Sequence, residues 1–540
     1  MAQTGRQARQ RVRAAAPRWS TTAGALVVVA GSLVVYRATL LPGVWAWDTA
    51  EAQAALPLMG TMHPTGFPAY VLLGWLAAVV LQPFGDPAFR VNLLSAVLAA
   101  ATAGLLVPLL RRLEVPLALA MAAGAGFALT PVVWRIGVAA DAHALHVFLL
   151  ATIVLLLLRW ERLVADRASS PGEPAAAGRA DRALVLAAVA FGAALANHGL
   201  TLLLIPAVGL YVLAVDRSVL WRPRLVVAAL GACAATAALL YLELPLRAGP
   251  FPAPLVYGHP DTWSGFWDIV LARQFQGDVA GLLADLSGKA AALGALTAGQ
   301  LGPLGLLVLP AFVVTALRRP RYALLSGTAT AVTCLFAASY LNADIGRYYL
   351  GPALFAWTWL AVAGAAVARL ILDRAAGGDP GAVEQLEHPA PPARLAARTA
   401  LTLALSAALL LPTAMVLPGR WGTVDRSSDT SMAAWLDEAM RSFDRGAVVV
   451  SWWSTSTTLW YGTLVEGRRP DLLLVDDSDI VYDGLGSAEA VIDRYLGTRP
   501  VLVIRSSASD IATLAVRYVL EPVGRPAGVY RVTGTRETAP

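Results

Sequence analysis

Charge is scarce in this chain. Charged residues make up 14% of its 540 positions, where a soluble domain carries about 25%, and the mean hydropathy is +0.60. A string of water-soluble domains is excluded on that ground, although the length would hold about three or four. Cysteine is nearly absent. Cys233 and Cys334 each lie inside an apolar run, which rules out a disulfide framework, a thiolate metal site and a CxxC redox centre. The chain lacks a P-loop, a Rossmann glycine fingerprint and a GxSxG elbow, so nothing points to soluble nucleotide chemistry. No HxxxH or HExxH spacing offers zinc two ligands from one helix, and Asp141-x-His143-x-x-His146 is the nearest approach to a metal motif. No fixed-period repeat is present.

Long apolar stretches are abundant. Beginning with a retained span near Thr22–Val35, later spans are expected at about 92–110, 116–133, 144–160, 183–196, 199–215, 224–243, 300–317, 322–341, 349–372 and 397–417, about eleven in all. Phe67 to Leu81 is apolar too, but the arginines argue against its crossing. If it lies along the outer interface, 22 basic residues fall in the amino terminus and inner loops and 7 in the outer loops. That is the bias of the positive-inside rule, and a crossing at 67–81 would invert it. The basic residues being so placed, the net charge of +6 is no nucleic-acid signal. The expected organisation is a basic cytoplasmic amino terminus (1–19), a membrane domain (20–372), a polar cytoplasmic linker (373–396), a last span (397–417) and an extracytoplasmic domain (418–540). In that tail, strand-length runs such as Ala447–Ser451, Leu472–Val475 and Val501–Ile504 alternate with helix-like segments, predicting an α/β domain with a parallel sheet.

On this topology the polar residues gather on the outer face, where ionisable groups at membrane depth usually line a cavity or pathway. The first outer loop holds Asp48 and Glu51, three apart, then His63-Pro64-Thr65-Gly66-Phe67-Pro68. Two carboxylates on one helical face can divide acid and base roles or hold a divalent cation; they can equally be an N-cap and its N3 partner at an ordinary helix start. Later outer bends bring Trp134-Arg135, Asp141, His143 and His146, then Asn197-His198, then Glu243, Arg247, His259 and Asp261, then Asp344, Arg347 and Tyr348. Trp45, Trp47 and Trp134 suit either an interfacial belt or sugar stacking. Arg247 and Arg347, at span ends, can snorkel to headgroups or grip a phosphate with a bidentate fork.

At these residues the chain resembles a known family. Trp47-Asp48-Thr-Ala-Glu51 followed by His63-Pro64-Thr-Gly66-Phe67-Pro68-Ala-Tyr70 is similar to the D-x-x-E and H-P-P-G-Y-P-L-Y pattern of the transmembrane protein O-mannosyltransferase-like family of GT-C membrane glycosyltransferases. The likeness continues through Phe89-Arg90-Val91-Asn92-Leu-Leu-Ser95, Trp134 to Leu145, Ala196-Asn197-His198, Leu244 to Ala248, Tyr257 to Pro260 and Val465 to Asp471. Thr65 and Phe67 depart from the pattern, and Asp141 and His143 stand where the family tends to show Glu-Val-Tyr.

The resemblance implies a polytopic helical GT-C fold that moves a sugar, such as mannose, from a polyprenyl-phosphate donor to an extracytoplasmic acceptor, with inversion. Asp48 would be the catalytic carboxylate and Glu51 its partner. Substrate would be bound among His63, Pro64, Trp134, Asp141, His143, Asn197, His198, Arg247, His259, Arg347 and Tyr348. The acceptor would be protein Ser or Thr, or else a lipid or envelope glycan. The tail would read it through Ser451-Trp452-Trp453-Ser454 or serve only as a packing domain. The resemblance calls for no cofactor, and the acid pair itself leaves a divalent cation open. A transporter or flippase is the main alternative of another class, but no paired halves with matching broken helices are found.

Overall fold

The computed structural model describes residues 18–169, 174–279, 281–341, 344–375 and 392–536. The amino-terminal residues before 18 and most of the expected inner linker, with His388, lie outside the described residues. Seven helices there are long and apolar enough to cross a membrane: Trp19–Ala38, Pro87–Arg112, Ala142–Ser169, Pro223–Ala248, Leu286–Arg318, Ile345–Ala375 and Leu395–Val424. The other four expected spans coincide with helices that are shorter or less apolar, Leu117–Ala128, Pro174–Leu195, Gly199–Val215 and Pro320–Ala337. Leu117–Ala128 has 12 residues, about 18 Å of helix against a hydrocarbon core of about 30 Å. It is largely buried among its neighbours, so its length is set by protein packing and not by lipid. The last span is longer than expected, running from Pro392 to Val424.

Pro87–Arg112 and Ala142–Ser169 form the interior, with 72% and 67% of their most apolar windows buried, whereas Pro223–Ala248 at 11% faces outward. Small residues permit this closeness. A Cβ on Gly124 would lie 2.7 Å from the Ala103 carbonyl oxygen, so only glycine lets Leu117–Ala128 pack this closely on Pro87–Arg112. Buried indoles donate across helices, Trp134 to Thr39, Trp357 to Thr130 and Trp359 to Ser326, each at 2.9 Å. In hydrocarbon each donor left bare would cost several kcal/mol.

The first outer loop folds into two helices, Trp47–Leu58 and Pro68–Val80, joined by the turn His63–Phe67. The second helix has 13 residues, about 20 Å, too short to cross. It leaves Trp75, Leu76, Val79 and Val80 exposed, as an interfacial helix would. In the turn, Gly66 N–H donates to His63 O at 2.7 Å. Gly66 has φ +80°, and a Cβ there would press on Leu244 at 3.0 Å, so the bend needs glycine.

The tail carries a five-stranded sheet, β1 (Val448–Val450), β2 (Leu473–Val475), β3 (Val501–Ile504), β4 (Tyr518–Pro522) and β5 (Val529–Thr535), in the order β2-β1-β3-β5-β4. β2, β1 and β3 are parallel, with Val449 opposite Leu474 and Leu502. β5 runs antiparallel to both β3 and β4, so the sheet is mixed and not wholly parallel. The three valines of β1 are fully buried, as expected for a strand covered on both faces. The domain rests on the first outer loop: Thr458 Oγ1 donates to Trp45 O at 2.7 Å, Tyr461 Oη accepts from Ala88 N, and the Arg426 guanidinium stacks 4.0 Å from the Trp45 ring.

Candidate active site

Two side chains of Pro87–Arg112 hold the site's loops together. Asn92 Oδ1 accepts from Gln53 Nε2 and Ala140 N–H, both at 2.9 Å, while its amide donates to Leu41 O at 3.0 Å. One turn along the same face, Ser95 Oγ accepts from Asp141 N–H at 3.0 Å and meets the Tyr70 hydroxyl at 3.2 Å. The helix thus fixes the Trp47–Leu58 helix, the Pro68–Val80 helix and the Asp141 bend with buried polar groups that have little freedom to move.

At the centre is Arg347. Its guanidinium donates to Asp48 Oδ2 at 2.7 Å and to Asp141 Oδ2 at 3.4 Å, and its Nε lies 3.2 Å from Asp344 Oδ2. Residues nearly three hundred positions apart are joined through one side chain that is only 15% exposed. Burial alone would raise the Asp48 carboxyl, but the charges of His63 and Arg347 outweigh it and hold Asp48 below the ordinary carboxylate range. Asp141 is likewise held well down against burial by Arg347 and His143.

Beside this cluster lies a second acid and base. Glu51 is fully buried and accepts His63 N–H at 2.8 Å, and its other oxygen pairs with His63 Nδ1. Burial would lower the His63 pKa, but the Glu51 carboxylate raises it above the usual histidine value. Asp48 sits in the first turn of a helix whose N-cap is Ala46, with no side-chain cap. The N-cap alternative for Asp48 is therefore not what is seen. Glu51 and Asp48 on one helix thus take different partners, His63 and Arg347.

A third group packs behind. The His143 and His198 rings are 4.5 Å apart, His146 lies 5.6 Å from His198, and Tyr348 stands against both His143 and His198. His143 meets Asp141 Oδ1 through its N–H and Nδ1, each at 2.8 Å. His143 Nε2, His146 Nδ1 and Asn197 Oδ1 are buried without a partner among the described residues, while Asn197 Nδ2 donates to Ala142 O at 3.2 Å.

The structure therefore gathers Asp48, Glu51, His63, Asp141, His143, Asn197, His198, Arg347 and Tyr348, with Pro64 buried in the turn that presents His63. Three expected residues fall elsewhere. Trp134 is completely buried, donating to Thr39 and edge-on to Trp421 at 5.5 Å; it packs the helix interior and is neither belt nor sugar platform. Arg247 donates to the carbonyls of Met59 at 2.8 Å and Leu58 at 3.1 Å, closing the end of the Trp47–Leu58 helix in place of holding a phosphate. His259 pairs with Asp483 of the tail at 2.9 Å on the surface. The acid pair also does not form a cation seat. Asp48 is taken by arginine and Glu51 by histidine, and no group of three or more metal-ligating side chains is assembled among the described residues.

Sequence reasoning left out Asn92 and Ser95 as the anchors of the site; His146, named there only with the outer bend, joins the imidazole group, and Trp453, named there only as an acceptor reader, brings its ring to 5.3 Å from His63. The Asn92 and Ser95 spacing of i, i+3 in an otherwise apolar span was a signal available to find them.

Known proteins resemble parts of this sequence and its fold. The family described as the N-terminal domain of protein O-mannosyl-transferase TMEM260 matches residues 48–221. The mouse (Mus musculus) protein O-mannosyl-transferase TMEM260 is 31% identical over 147 residues, which are 27% of this chain and 21% of that protein. The chain thus matches only about a fifth of the length of that curated relative, and segments beyond 221, such as Leu244–Ala248 and Val465–Asp471, rest on pattern alone. Among solved structures, ArnT from Cupriavidus metallidurans bound to undecaprenyl phosphate is similar over 94% of this chain and 97% of that one, with TM-score 0.58 and 15% identity. The Archaeoglobus fulgidus oligosaccharyltransferase tethered to an acceptor peptide covers 95% of this chain and 74% of its own, with TM-score 0.51 and 13% identity. The chain shares the fold of these two membrane proteins, and its residues 48–221 are similar to the N-terminal domain of the TMEM260-type protein O-mannosyl-transferases.

Proposed function

We propose that this protein is a membrane glycosyltransferase that moves a hexose, mannose by its resemblance, from a polyprenyl-phosphate donor to a serine or threonine hydroxyl of a polypeptide on the outer face of the cell membrane. The amino terminus lies in the cytoplasm and the sheet domain outside. The observation that carries the reading is the Arg347 guanidinium shared between Asp48 and Asp141 beside the Glu51–His63 pair. ArnT, which shares the fold, binds undecaprenyl phosphate, and the related oligosaccharyltransferase takes an acceptor peptide.

In this reading Asp48, held ionised, accepts the acceptor's hydroxyl proton. The hydroxyl oxygen attacks C1 of the sugar as the C1–O bond to phosphate breaks, giving one displacement with inversion and releasing polyprenyl phosphate. Of the five N–H donors of arginine, one bonds Asp48 and one Asp141, while Nε is ion-paired with Asp344 at 3.2 Å without a hydrogen bond. The second N–H of each terminal nitrogen can meet the leaving phosphate as its charge develops. Asp141 and Asp344 hold the fork in position. Pro68–Val80 lies in the interface, so a lipid-borne donor enters sideways between it and the spans, while the Trp453 side supplies the acceptor.

The test is transfer by purified protein from a synthetic polyprenyl-phosphate hexose, with Ser/Thr peptides in one arm and lipid or glycan acceptors in the other. Transfer to peptide that is lost in Asp48→Asn is expected. Transfer undiminished in Asp48→Asn would end the catalytic assignment, and transfer confined to the second arm would move the acceptor to lipid or glycan.

A further inference from the structure

A cleft of about 590 Å³ opens between the second outer loop and the sheet domain, walled by Leu255–His259 and Asp261 on one side and by Trp460, Arg469, Asp479, Tyr482 and Asp483 on the other. Its size is that of a ligand site, and none of the catalytic groups lies in it. The cleft adjoins the reaction centre. Tyr257 N–H donates to Thr61 Oγ1, two residues before His63. The Trp453 ring stands 5.3 Å from His63 and packs in the same cluster as Tyr257 and Tyr482, whose rings are 5.5 Å apart.

The charges of the cleft are unbalanced. Arg469, the one arginine on its wall, has its guanidinium directed to Asp471 and to the carbonyls of Met440, Phe443 and Asp444. Asp261 has no partner among the described residues, and Asp483 meets only the half-exposed His259. Behind Asp479, Asp476 is completely buried with Oδ2 unpartnered. Burial, and next the Asp476 charge, push the Asp479 carboxyl up to about 7. Aromatic walls with uncompensated carboxylates suit an organic cation, whose stem packs on the rings while its head meets the acids.

We propose that this cleft binds a lysine or arginine side chain of the acceptor polypeptide and so selects basic sequence beside the hydroxyl to be modified. The inference rests on the polypeptide-acceptor reading above. Tyr257 on the cleft wall holds Thr61, two residues before His63, so the selected residue stands within a few positions of the acceptor serine or threonine along an extended chain.

The experiment measures binding apart from turnover. The full chain in lipid nanodiscs, without donor, is titrated with fluorescent serine-containing peptides carrying Arg, Ala or Glu at each position up to five from the serine. At one of these positions, Arg peptides are expected to bind at least tenfold tighter than Glu peptides in low salt. That ratio falls to threefold or less in Asp479→Asn combined with Asp261→Asn. Asp261→Lys, on an exposed loop where folding is not at stake, shifts the preference toward Glu. Equal affinity for Arg and Glu peptides at every position would overturn the proposal, as would a preference unmoved by these variants or displacement by neutral oligosaccharide but not by free arginine peptide. Because no sugar moves in this assay, failure of the transfer test would leave its result readable.

Discussion

Asp48, Asp141 and Asp344 place three carboxylates around one guanidinium, so Arg347 is doing two jobs whose losses can be told apart. Removing one partner of a buried ion pair typically costs about 3–5 kcal/mol. Arg347→Ala is therefore expected to destabilise the protein by about that much, read as a lowered denaturation midpoint in detergent. Arg347→Lys keeps the charge without the planar fork; it should fold nearly as well yet lower kcat by about 10²-fold or more. Asp48→Asn is expected to reduce kcat by about 10²–10⁴ and, since Asp141 and Asp344 still face Arg347, to lower the denaturation midpoint by less than Arg347→Ala does. If the Lys and Ala variants were equally unstable and equally slow, the fork geometry would have no separate role.

Titration makes a second residue-scale prediction. The His63 pKa is raised above its unfolded value by Glu51, so the protonated ring binds the folded state more strongly. That contribution is fully present below about pH 6.5 and is lost as pH rises through the raised value. The Tm difference between wild type and His63→Gln should shrink as pH climbs from about 6 to 9. For Asp48 the shift is downward: its ionised form is stabilised above about pH 4, and the acid limb of kcat/KM should lie below that pH. A His63 contribution that grew with alkalinity would contradict the pairing.

At the scale of elements, the site is held by the face of Pro87–Arg112 that carries Asn92 and Ser95. Asn92→Ala leaves the Gln53 amide, Leu41 carbonyl and Ala140 N–H in a dry interior without their partner. Each such group costs about 1–3 kcal/mol, so a loss of at least about 3 kcal/mol is expected, with transfer falling even in preparations that remain folded. Asn92→Asp, which keeps the acceptor oxygen toward Gln53 and Ala140, should recover part of it. The measurement is denaturant midpoint and transfer rate on the same samples.

The elements also show where sequence was informative. The acid pair, the histidine bends and the interfacial helix were legible because each is a local departure from an apolar background: a charge, a bend, an arginine count. Arg247 and Arg347 were not separable, since both sit where a span meets the outer face; only tertiary structure turns one toward backbone carbonyls and the other toward Asp48. Trp134 read as a belt aromatic because an indole at a span end most often sits at the interface, yet its own side of the helix faces the interior while Arg135 is exposed. The span count exceeded the strict one because helices sheltered by other helices, such as Leu117–Ala128, need be only as long as their packing requires. In the tail, the antiparallel β4–β5 hairpin was hidden because each strand's apolar run is short and broken, by Glu521 and Pro522 in β4 and by Arg531 and Gly534 in β5.

For the whole molecule, the remaining question is which way the chain faces. The sheet domain touches the first outer loop through Thr458, Tyr461 and Trp453, so the two share a compartment whatever the orientation. Arginines near the span ends decide which compartment that is, because cytoplasmic loops retain basic residues. Single cysteines introduced at exposed positions into a chain with Cys233 and Cys334 replaced by alanine will report it in intact cells. A membrane-impermeant maleimide is expected to label Ser287→Cys and Ser427→Cys from outside, and to reach Ser218→Cys only after permeabilisation. Labelling of Ser218→Cys with protection of the other two would put the acid pair in the cytoplasm. Labelling of Ser287→Cys but not Ser427→Cys would separate the sheet domain from the loop it packs against, and with it the acceptor route past Trp453.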